Sequence, residues 1–392
     1  MLLVLLSLLP TQPLPDCATL PNPVYLQVGD TQEPVMKALG RKLRDSAATP
    51  MTIVYQTSGS CTNIDAIFNS TKLSTNPKFV PSTAEDPNWT TSMPPLQCQV
   101  PAGGVELDAV NSAVGLEVCT SSVVPAGIKA FPAAIQPYVF VVPTASGENA
   151  ITAEEAYFVF GFGMEGQAQP WTDESLYFIR TPTKSTLLSL AANIHVPGAK
   201  WKGMRFDKSA DVVNAVTMSP TPGKTIGILG AEIYDRNRAT MKALAFRAYD
   251  QKYAYFPDST AGSKDKRNTR DGHYVAWSPT IYLTRVDANQ KPVSPNVALL
   301  VDILTSKPQQ NSASLPDFDA LKVLIQQGLV PDCAMKVSRE REGGDLSLYE
   351  APNPCHCYFE SVVDRPGSGC TACADDGPCG AGKCRYGFCE AR

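Results

Sequence analysis

The chain has 392 residues, of which 43% are hydrophobic and 18% charged, and its formal net charge is −4 at pH 7. This composition is typical of a globular protein and excludes a largely disordered one. At this length we expect two or three domains rather than a single core. The slightly acidic balance provides no basic surface for nucleic acid, so no nucleic-acid partner is predicted.

Residues 1–20 are predicted to be a signal or leader segment. They begin with the apolar run MLLVLLSLL, which is far shorter than the ~20 apolar residues that span a bilayer. The run is typical of a secretory signal without its basic n-region; a buried N-terminal strand is the alternative. We therefore predict an exported protein, either periplasmic or at the cell surface. Cys17 follows Pro15 and Asp16, which fit a lipoprotein cleavage box poorly.

Twelve cysteines agree with export, because disulfides persist in oxidising compartments. Eight of them lie in residues 331–392, and this even number favours a disulfide framework. Zinc is the competing hypothesis, since Cys370 and Cys373 have metal-ligand spacing, but no second pair with that spacing follows. We predict no cofactor. Among the other cysteines, Cys98–Cys119 is the preferred bridge, and removal of Cys17 with the leader would leave three in the body.

The first half of the chain alternates short strand and helix patterns, which favours an α/β architecture with largely parallel sheets. Residues 33–44, for example, place Val35, Met36, Leu39 and Leu43 on one helical face. The predicted strands are 25–28, 51–55, 100–110, 115–119 and a buried run at 138–142, the helices are 33–44 and 63–69, and a surface loop covers 70–95.

The second half continues the alternation until about Pro308. A polar, charged stretch at 257–272 is predicted to be an exposed loop. After residue 365 the chain is rich in Gly and Cys with almost no aliphatic residues, so its shape would depend on crosslinks. The predicted helices are 153–162, 187–193, 211–218, 293–305 and 317–327, and the predicted strands are 225–229 and 277–284.

Two segments, 51–68 and 177–193, share one layout: an apolar strand, a hydroxyl-rich loop and a helix. The first loop is Thr57–Ser60, and the second follows Arg180. A helix N-terminus leaves N–H groups unpaired and carries partial positive charge, so such loops suit an oxyanion. Either loop alone also fits ordinary helix capping. Together they predict a ligand held between two lobes.

Common catalytic and nucleotide-binding motifs are absent from the sequence. Gly223-Lys224-Thr225 matches the end of a P-loop, but Met218 stands where that motif requires Gly. The chain has three histidines and no HExxH motif or nucleophile elbow. We therefore predict that the protein is not an enzyme; a secreted hydrolase remains an alternative without a visible nucleophile–base pair.

In this order, the segments resemble the phosphate-binding type of periplasmic solute-binding protein. The resemblance implies a two-lobe type 2 periplasmic-binding-protein fold with a two-strand hinge near residues 134–138 and 274–279, plus an added Cys-rich tail. It implies lobe I at 21–135 plus 278–330, lobe II at 136–277 and a Cys-rich region at 331–392. The segments that carry the resemblance are 25–44, 52–68, 105–114 and 179–186.

The resemblance also implies a site for a small inorganic oxyanion, with phosphate as the leading candidate and an ABC permease as a possible partner class. Asn111 stands where the family has an acidic residue, which weakens discrimination between phosphate-like and sulfate-like anions. Lys184 adds positive charge or blocks the pocket. The alternative function is an extracellular structural or adhesion protein with a degenerate pocket and a Cys-rich tail that contacts a cell-surface partner. The implied ligand-binding residues are Asp30, Thr31, Ser58, Gly59, Ser60, Asn111, Arg180, Ser185 and Thr186.

Overall fold

The structure, a computed structural model, describes residues 13–45, 49–305, 318–363 and 369–390. The apolar run predicted to belong to the leader lies outside these residues. Among them, the helices are α1 Glu33–Asp45, α2 Ser60–Phe68, α3 Leu116–Cys119, α4 Ala153–Phe162, α5 Ser185–Asn193, α6 Ser209–Thr217, α7 Ala231–Arg236, α8 Arg267–Arg270, α9 Pro295–Leu304, α10 Ala320–Gln326 and α11 His356–Val362. The strands are β1 Pro23–Gly29, β2 Thr52–Ser58, β3 Lys78–Phe79, β4 Leu96–Gln97, β5 Ala109–Ser112, β6 Ile128–Pro143, β7 Ala150–Thr152, β8 Tyr177–Arg180, β9 Met204–Phe206, β10 Ile226–Gly230, β11 Met241–Ala243, β12 Ala245–Arg247, β13 Trp277–Arg285, β14 Val337–Ser338, β15 Ser347–Leu348, β16 Lys383–Arg385 and β17 Phe388–Glu390.

One long strand, β6, joins the two lobes of the molecule. The main sheet runs β4-β3-β2-β1-β5-β13-β6-β10-β8-β9, with β11 also paired to β6. The first part of β6 pairs with β13, whereas residues 138–143 pair with β10 and β11. We call the part with β1–β5 lobe I and the part with β8–β11 lobe II. The Tyr138 N–H donates to the Ala276 carbonyl at 2.9 Å, so two chain passes lie side by side at the crossing.

Each lobe has its own apolar core. In lobe I, α1 packs on one face of the sheet through the predicted residues Val35, Met36, Leu39 and Leu43, all at most 1% exposed. The other face is covered by α2. In lobe II, residues 138–142 of β6 are fully buried as predicted. Helices therefore cover both faces of the sheet, as α/β patterning requires. The sheet is mixed rather than largely parallel as predicted: β1 pairs in parallel with β2 and β5, and β8 with β9 and β10, whereas the pairs made by β3, β4, β6, β11 and β13 are antiparallel.

The Cys-rich region starts as a segment packed against the hinge. Trp277 and Ile135 of the hinge form a small core with Val330, Met335 and Phe359. Four disulfides fix the rest of the region, which confirms the predicted disulfide framework. The three sulfurs that lie within metal-binding distance of one another all belong to disulfides, so they do not offer the thiolates that zinc binds.

The preferred bridge between Cys98 and Cys119 is wrong. Cys98 pairs with Cys17, and Cys61 pairs with Cys119. Cys17 is fully buried, and its N–H donates to the Gln99 carbonyl at 2.9 Å. The end of the predicted leader is therefore attached to lobe I by a covalent bond and a hydrogen bond.

Three further predictions differ from the structure. Residues 116–119 form helix α3 rather than a strand, and the strand predicted at 100–110 is β5, which begins only at Ala109. The stretch 257–272 is not an exposed loop, because Asp258 and Lys266 are 2% and 1% exposed. The Lys266 ammonium lies 2.7 Å from Asp235 and 3.0 Å from Asp258, so these charges compensate one another inside the protein.

None of the helices in the described residues has the length and hydropathy of a membrane span.

Candidate functional site

The two predicted anion-binding loops touch each other across the lobes. The Cys61 N–H, at the start of α2, donates to the Thr183 carbonyl at 3.3 Å. Gly59 lies so close to Thr183 that a Cβ on it would be 2.5 Å from Thr183 Oγ1 and 2.7 Å from its carbonyl oxygen. Only a residue without a side chain permits this approach. The segments around Thr57 and Arg180 therefore share one interface.

Two helix N-termini meet at this interface. Helix α2 begins at Ser60 after Gly59, and α5 begins at Ser185 after Lys184; neither preceding residue caps its helix through a side chain. Ser60, Ser185 and Thr186 are 2%, 6% and 0% exposed. The Thr186 hydroxyl is buried and has no hydrogen-bond partner among the described residues. Polar donors therefore remain available between the lobes.

Tyr138, on the hinge strand β6, connects the two helix starts. Its hydroxyl donates to the Ala113 carbonyl, and the Ala113 N–H donates to Ser60 Oγ at 3.1 Å. Burial raises the pKa of the Tyr138 hydroxyl well above its usual range, although the neighbouring Ser185 and Ser278 hydroxyls act in the opposite direction. Tyr138 is thus a neutral group at any physiological pH.

All three nitrogens of the Arg180 guanidinium donate hydrogen bonds to groups of the protein. Its Nη2 donates to both Asp30 oxygens, at 2.9 and 3.0 Å, and to the Asp207 carbonyl at 2.6 Å. Its Nη1 donates to Ser209 Oγ and its Nε to the Phe206 carbonyl. Burial alone would raise the pKa of Asp30, but Arg180 and the Ser209 N–H hold it below its ordinary value. Asp30 and Arg180 therefore form a charged, mutually compensated pair across the lobes.

Lys184 is compensated in the same way, since its ammonium lies 3.0 Å from Asp207. The Lys184 side chain is 5% exposed and that of Asp207 is 71% exposed, so the pair sits at the edge of the interface. With both cations paired, the interface offers an anion chiefly neutral N–H and O–H donors. Such donors in a closed site are sufficient to hold an anion.

A chain of side-chain amides leads from Thr31 to Glu232. Gln136 Oε1 accepts from Gln32 Nε2 at 2.7 Å and lies 3.5 Å from Thr31 Oγ1, and Gln136 Nε2 donates to Glu232 Oε1 at 3.2 Å. Glu232 is 1% exposed, and burial raises the pKa of its carboxyl to about 8. Its second oxygen has no partner among the described residues. Glu232 therefore carries a proton near neutral pH.

Two further predicted ligand-binding residues, Asn111 and Ser58, lie on strands of lobe I. Asn111 is fully buried; its Oδ1 accepts the Gly29 N–H at 3.4 Å and its Nδ2 donates to the Ser112 carbonyl at 3.1 Å. Ser58 ends β2 and is half-buried. Their role as anion ligands stays a prediction.

Sequence reasoning missed four groups that shape the interface: Tyr138, Gln136, Ser278 and Glu342. The first three lie on hinge strands, where the sequence shows only strand patterning. Glu342 belongs to the charged run 339–342, and its carboxylate accepts hydrogen bonds from Ser189 and Ser278, each at 2.7 Å. A charged run in an irregular segment gave no signal that one member would enter the interface.

A groove of about 260 Å³ lies near the hinge, between α7, α10 and α11. Glu232 and Asp235 line it together with Arg236 and Lys264. The predicted ligand-binding residues are not among its lining residues.

Comparison with known proteins supports the fold. No protein-family model matches the chain, and no curated protein matches it in sequence. A protein from Clostridium perfringens, described as a phosphate ABC transporter substrate-binding protein and solved with bound phosphate, is similar with a TM-score of 0.53 at 11% identity, covering 79% of this chain and 99% of that one. An ABC-type phosphate transport receptor from Vibrio cholerae gives a TM-score of 0.48 at 13% identity, covering 79% and 100%. The similarity to the Clostridium perfringens protein shows that this chain has the same two-lobe fold, extended by a disulfide-rich C-terminal region.

Proposed function

We propose that the protein is an exported solute-binding protein that clamps a small, phosphate-like oxyanion between its lobes, for ABC-type uptake through a membrane permease. The observation that carries this proposal is the meeting of two helix N-termini without side-chain caps, beside the Thr186 hydroxyl, for which the described segments provide no hydrogen-bond partner. The phosphate bound to the similar Clostridium perfringens protein supports the anion class. For the lobes we propose 21–135 plus 278–330 and 136–277, followed by a Cys-rich region at 331–392.

In this proposal the anion is held mainly by neutral donors. The proposed contacts are the N–H groups at the starts of α2 and α5, other than that of Cys61, which donates to the Thr183 carbonyl, and the hydroxyls of Ser60, Ser185 and Thr186. Hydrogen bonds to a charged group contribute about 1.5–3 kcal/mol each, so a few of them suffice for micromolar affinity. Arg180 then acts by holding Asp30 and the lobe II loop in place, rather than as the main anion contact.

The ligand class should extend beyond phosphate. A carboxylate at position 111 would accept a hydrogen bond from the O–H of hydrogenphosphate and repel sulfate, whereas Asn111 has no charge. We therefore expect phosphate and sulfate to bind within about tenfold of each other, a difference below 1.4 kcal/mol.

One observation favours a second function. Both interface cations are already paired, Arg180 with Asp30 and Lys184 with Asp207. A closed interface of this kind also fits an extracellular structural or adhesion protein whose pocket has degenerated. In that case the disulfide-rich tail would be the interaction element.

Isothermal titration calorimetry with phosphate and sulfate separates the two functions. The test variant is Ser185→Ala with Thr186→Val, which removes two proposed donors; the control is Ser175→Ala, an exposed hydroxyl of lobe II. Binding by the wild type and the control, weakened at least tenfold in the test variant, would support the clamp. Equal heats from all three proteins, or none from the wild type at millimolar anion, would contradict it.

A further inference from the structure

Glu342 places a carboxylate between the two lobes. One carboxylate oxygen accepts from Ser189 Oγ of α5 at 2.7 Å. The other accepts from Ser278 Oγ of β13 at 2.7 Å and lies 3.4 Å from the Gly115 nitrogen. The three donors thus come from lobe II, the hinge and lobe I. All are neutral, as in the anion clamp proposed nearby.

The segment that carries Glu342 is fixed on both sides. Arg339 stacks on Trp277 of the hinge, 3.8 Å from the ring centroid, and donates to the Val275 carbonyl at 2.6 Å. After Glu342 the chain turns at Gly343, whose φ of 64° favours glycine and whose Cα faces Ala192 of α5. The Glu342 N–H donates to Glu117 Oε1 of lobe I at 2.8 Å. The placement is therefore specific rather than a loose surface contact.

The carboxylate lies next to the proposed clamp. Ser278 donates to Glu342 and lies next to the Tyr138 hydroxyl, which also neighbours Ser185 at the start of α5. Ser189, the lobe II donor, follows Ser185 by one helical turn. Movement of lobe II away from lobe I would separate Ser189 from Ser278 and break this set of hydrogen bonds.

We propose that Ser189, Ser278 and the Gly115 N–H form a carboxylate site between the lobes whose ligand is the chain's own Glu342, so that the C-terminal segment holds the lobes closed. The consequence for anion exchange rests on the proposed function: removal of the carboxylate would speed release of the clamped anion. We call the Glu342 carboxylate and its three donors the latch. It requires no external ligand, because the carboxylate and the donors belong to one chain.

The test uses Glu342→Ala in the full chain, with Glu340→Ala, an exposed neighbour, as the matched control. Small-angle X-ray scattering and amide hydrogen exchange report lobe opening without added anion. Loss of the charged hydrogen bonds should raise the open population about 10- to 100-fold in Glu342→Ala only. Acetate at ~100 mM should restore the closed form by refilling the site, whereas uncharged acetamide should not, since charged acceptors make the stronger hydrogen bonds.

Two results would overturn the latch: scattering and exchange of Glu342→Ala equal to those of Glu340→Ala, or equal effects of acetate and acetamide. If circular dichroism shows that Glu342→Ala does not fold, Ser278→Ala removes a donor and keeps the carboxylate, and the same opening is expected. Absence of phosphate binding by the wild type, with opening still seen in Glu342→Ala, would refute the proposed function and leave the latch standing.

Discussion

The Arg180 side of the lobe interface differs from the side around Ser60 and Thr186 in how its polar groups are satisfied. Arg180 and Lys184 are each paired with a carboxylate of the protein, so this side contributes to the closed structure whether or not an anion is present. The other side has two helix starts without side-chain caps and the buried Thr186 hydroxyl, which has no partner in the described part of the chain. The difference indicates that charge positions the lobes and that neutral dipoles are left for a ligand.

The largest expected effect comes from breaking the charged side. Arg180→Ala leaves Asp30, whose side chain is 15% exposed, without its cation, so the free energy of unfolding should fall by about 3–5 kcal/mol. The double variant Asp30→Ala with Arg180→Ala should recover most of that loss, because no unpaired charge remains. Urea unfolding of the four proteins in the cycle measures this coupling. Additive losses would show that the pair does not hold the lobes.

The second effect concerns the pH dependence of stability and tests the proton on Glu232, which Gln136 connects to Thr31. Its folded-state pKa of about 8 lies above the ordinary value of 4.5, so the folded protein keeps a proton that the unfolded chain has released. Stability from this group is therefore full below pH 4.5 and falls by up to about 1.4 kcal/mol per pH unit until about pH 8.

Glu232→Gln should remove this pH dependence while preserving the bond to Gln136. The difference in unfolding free energy between wild type and variant, measured by urea titration from pH 4.5 to 8.5, isolates Glu232 from other titrating groups. Glu340→Gln serves as an exposed control. A constant difference between wild type and Glu232→Gln over this range would mean that Glu232 is already ionised.

Local patterns predicted much of the fold. The face formed by Val35, Met36, Leu39 and Leu43 is buried as expected, because a period of 3.6 residues reports which side of a helix meets the core. The order of the segments also supported the family resemblance that implied a two-lobe fold, and the contact between the Thr57 and Arg180 segments follows from that fold.

Features that depend on distant partners were not predictable in this way. The pairing of Cys17 with Cys98 requires knowing which strands are neighbours, and sequence spacing gives no such information. Lys266 was assigned to an exposed loop because its charge is visible in the sequence and its partners, Asp235 and Asp258, are not. The same holds for Arg180, whose partner Asp30 is 150 positions away.

The third effect tests the close contact on the neutral side. In Gly59→Ala the new Cβ would meet both the side chain and the backbone of Thr183 at under 3 Å, so the lobes must separate. Overpacking of this kind costs about 1–3 kcal/mol, which corresponds to phosphate binding weakened roughly 5- to 150-fold. Calorimetry checks it against Gly103→Ala, where the added Cβ meets nothing within 4 Å. Unchanged affinity in Gly59→Ala would place the ligand outside this interface.

The smallest effect concerns Lys184 and Asp207 at the edge of the interface. Because the Asp207 side chain is 71% exposed, Asp207→Asn should change the free energy of unfolding by less than about 1 kcal/mol. It would, however, leave the Lys184 ammonium without its carboxylate at the position where an anion approaches the helix starts. Stopped-flow measurement should then show phosphate association a few-fold faster at low ionic strength, with the difference disappearing near 1 M salt, where the screening length is about 3 Å. An equal rate in both proteins at low salt would mean that Lys184 does not face the path of the anion, and that the neutral donors receive it without electrostatic steering from this side.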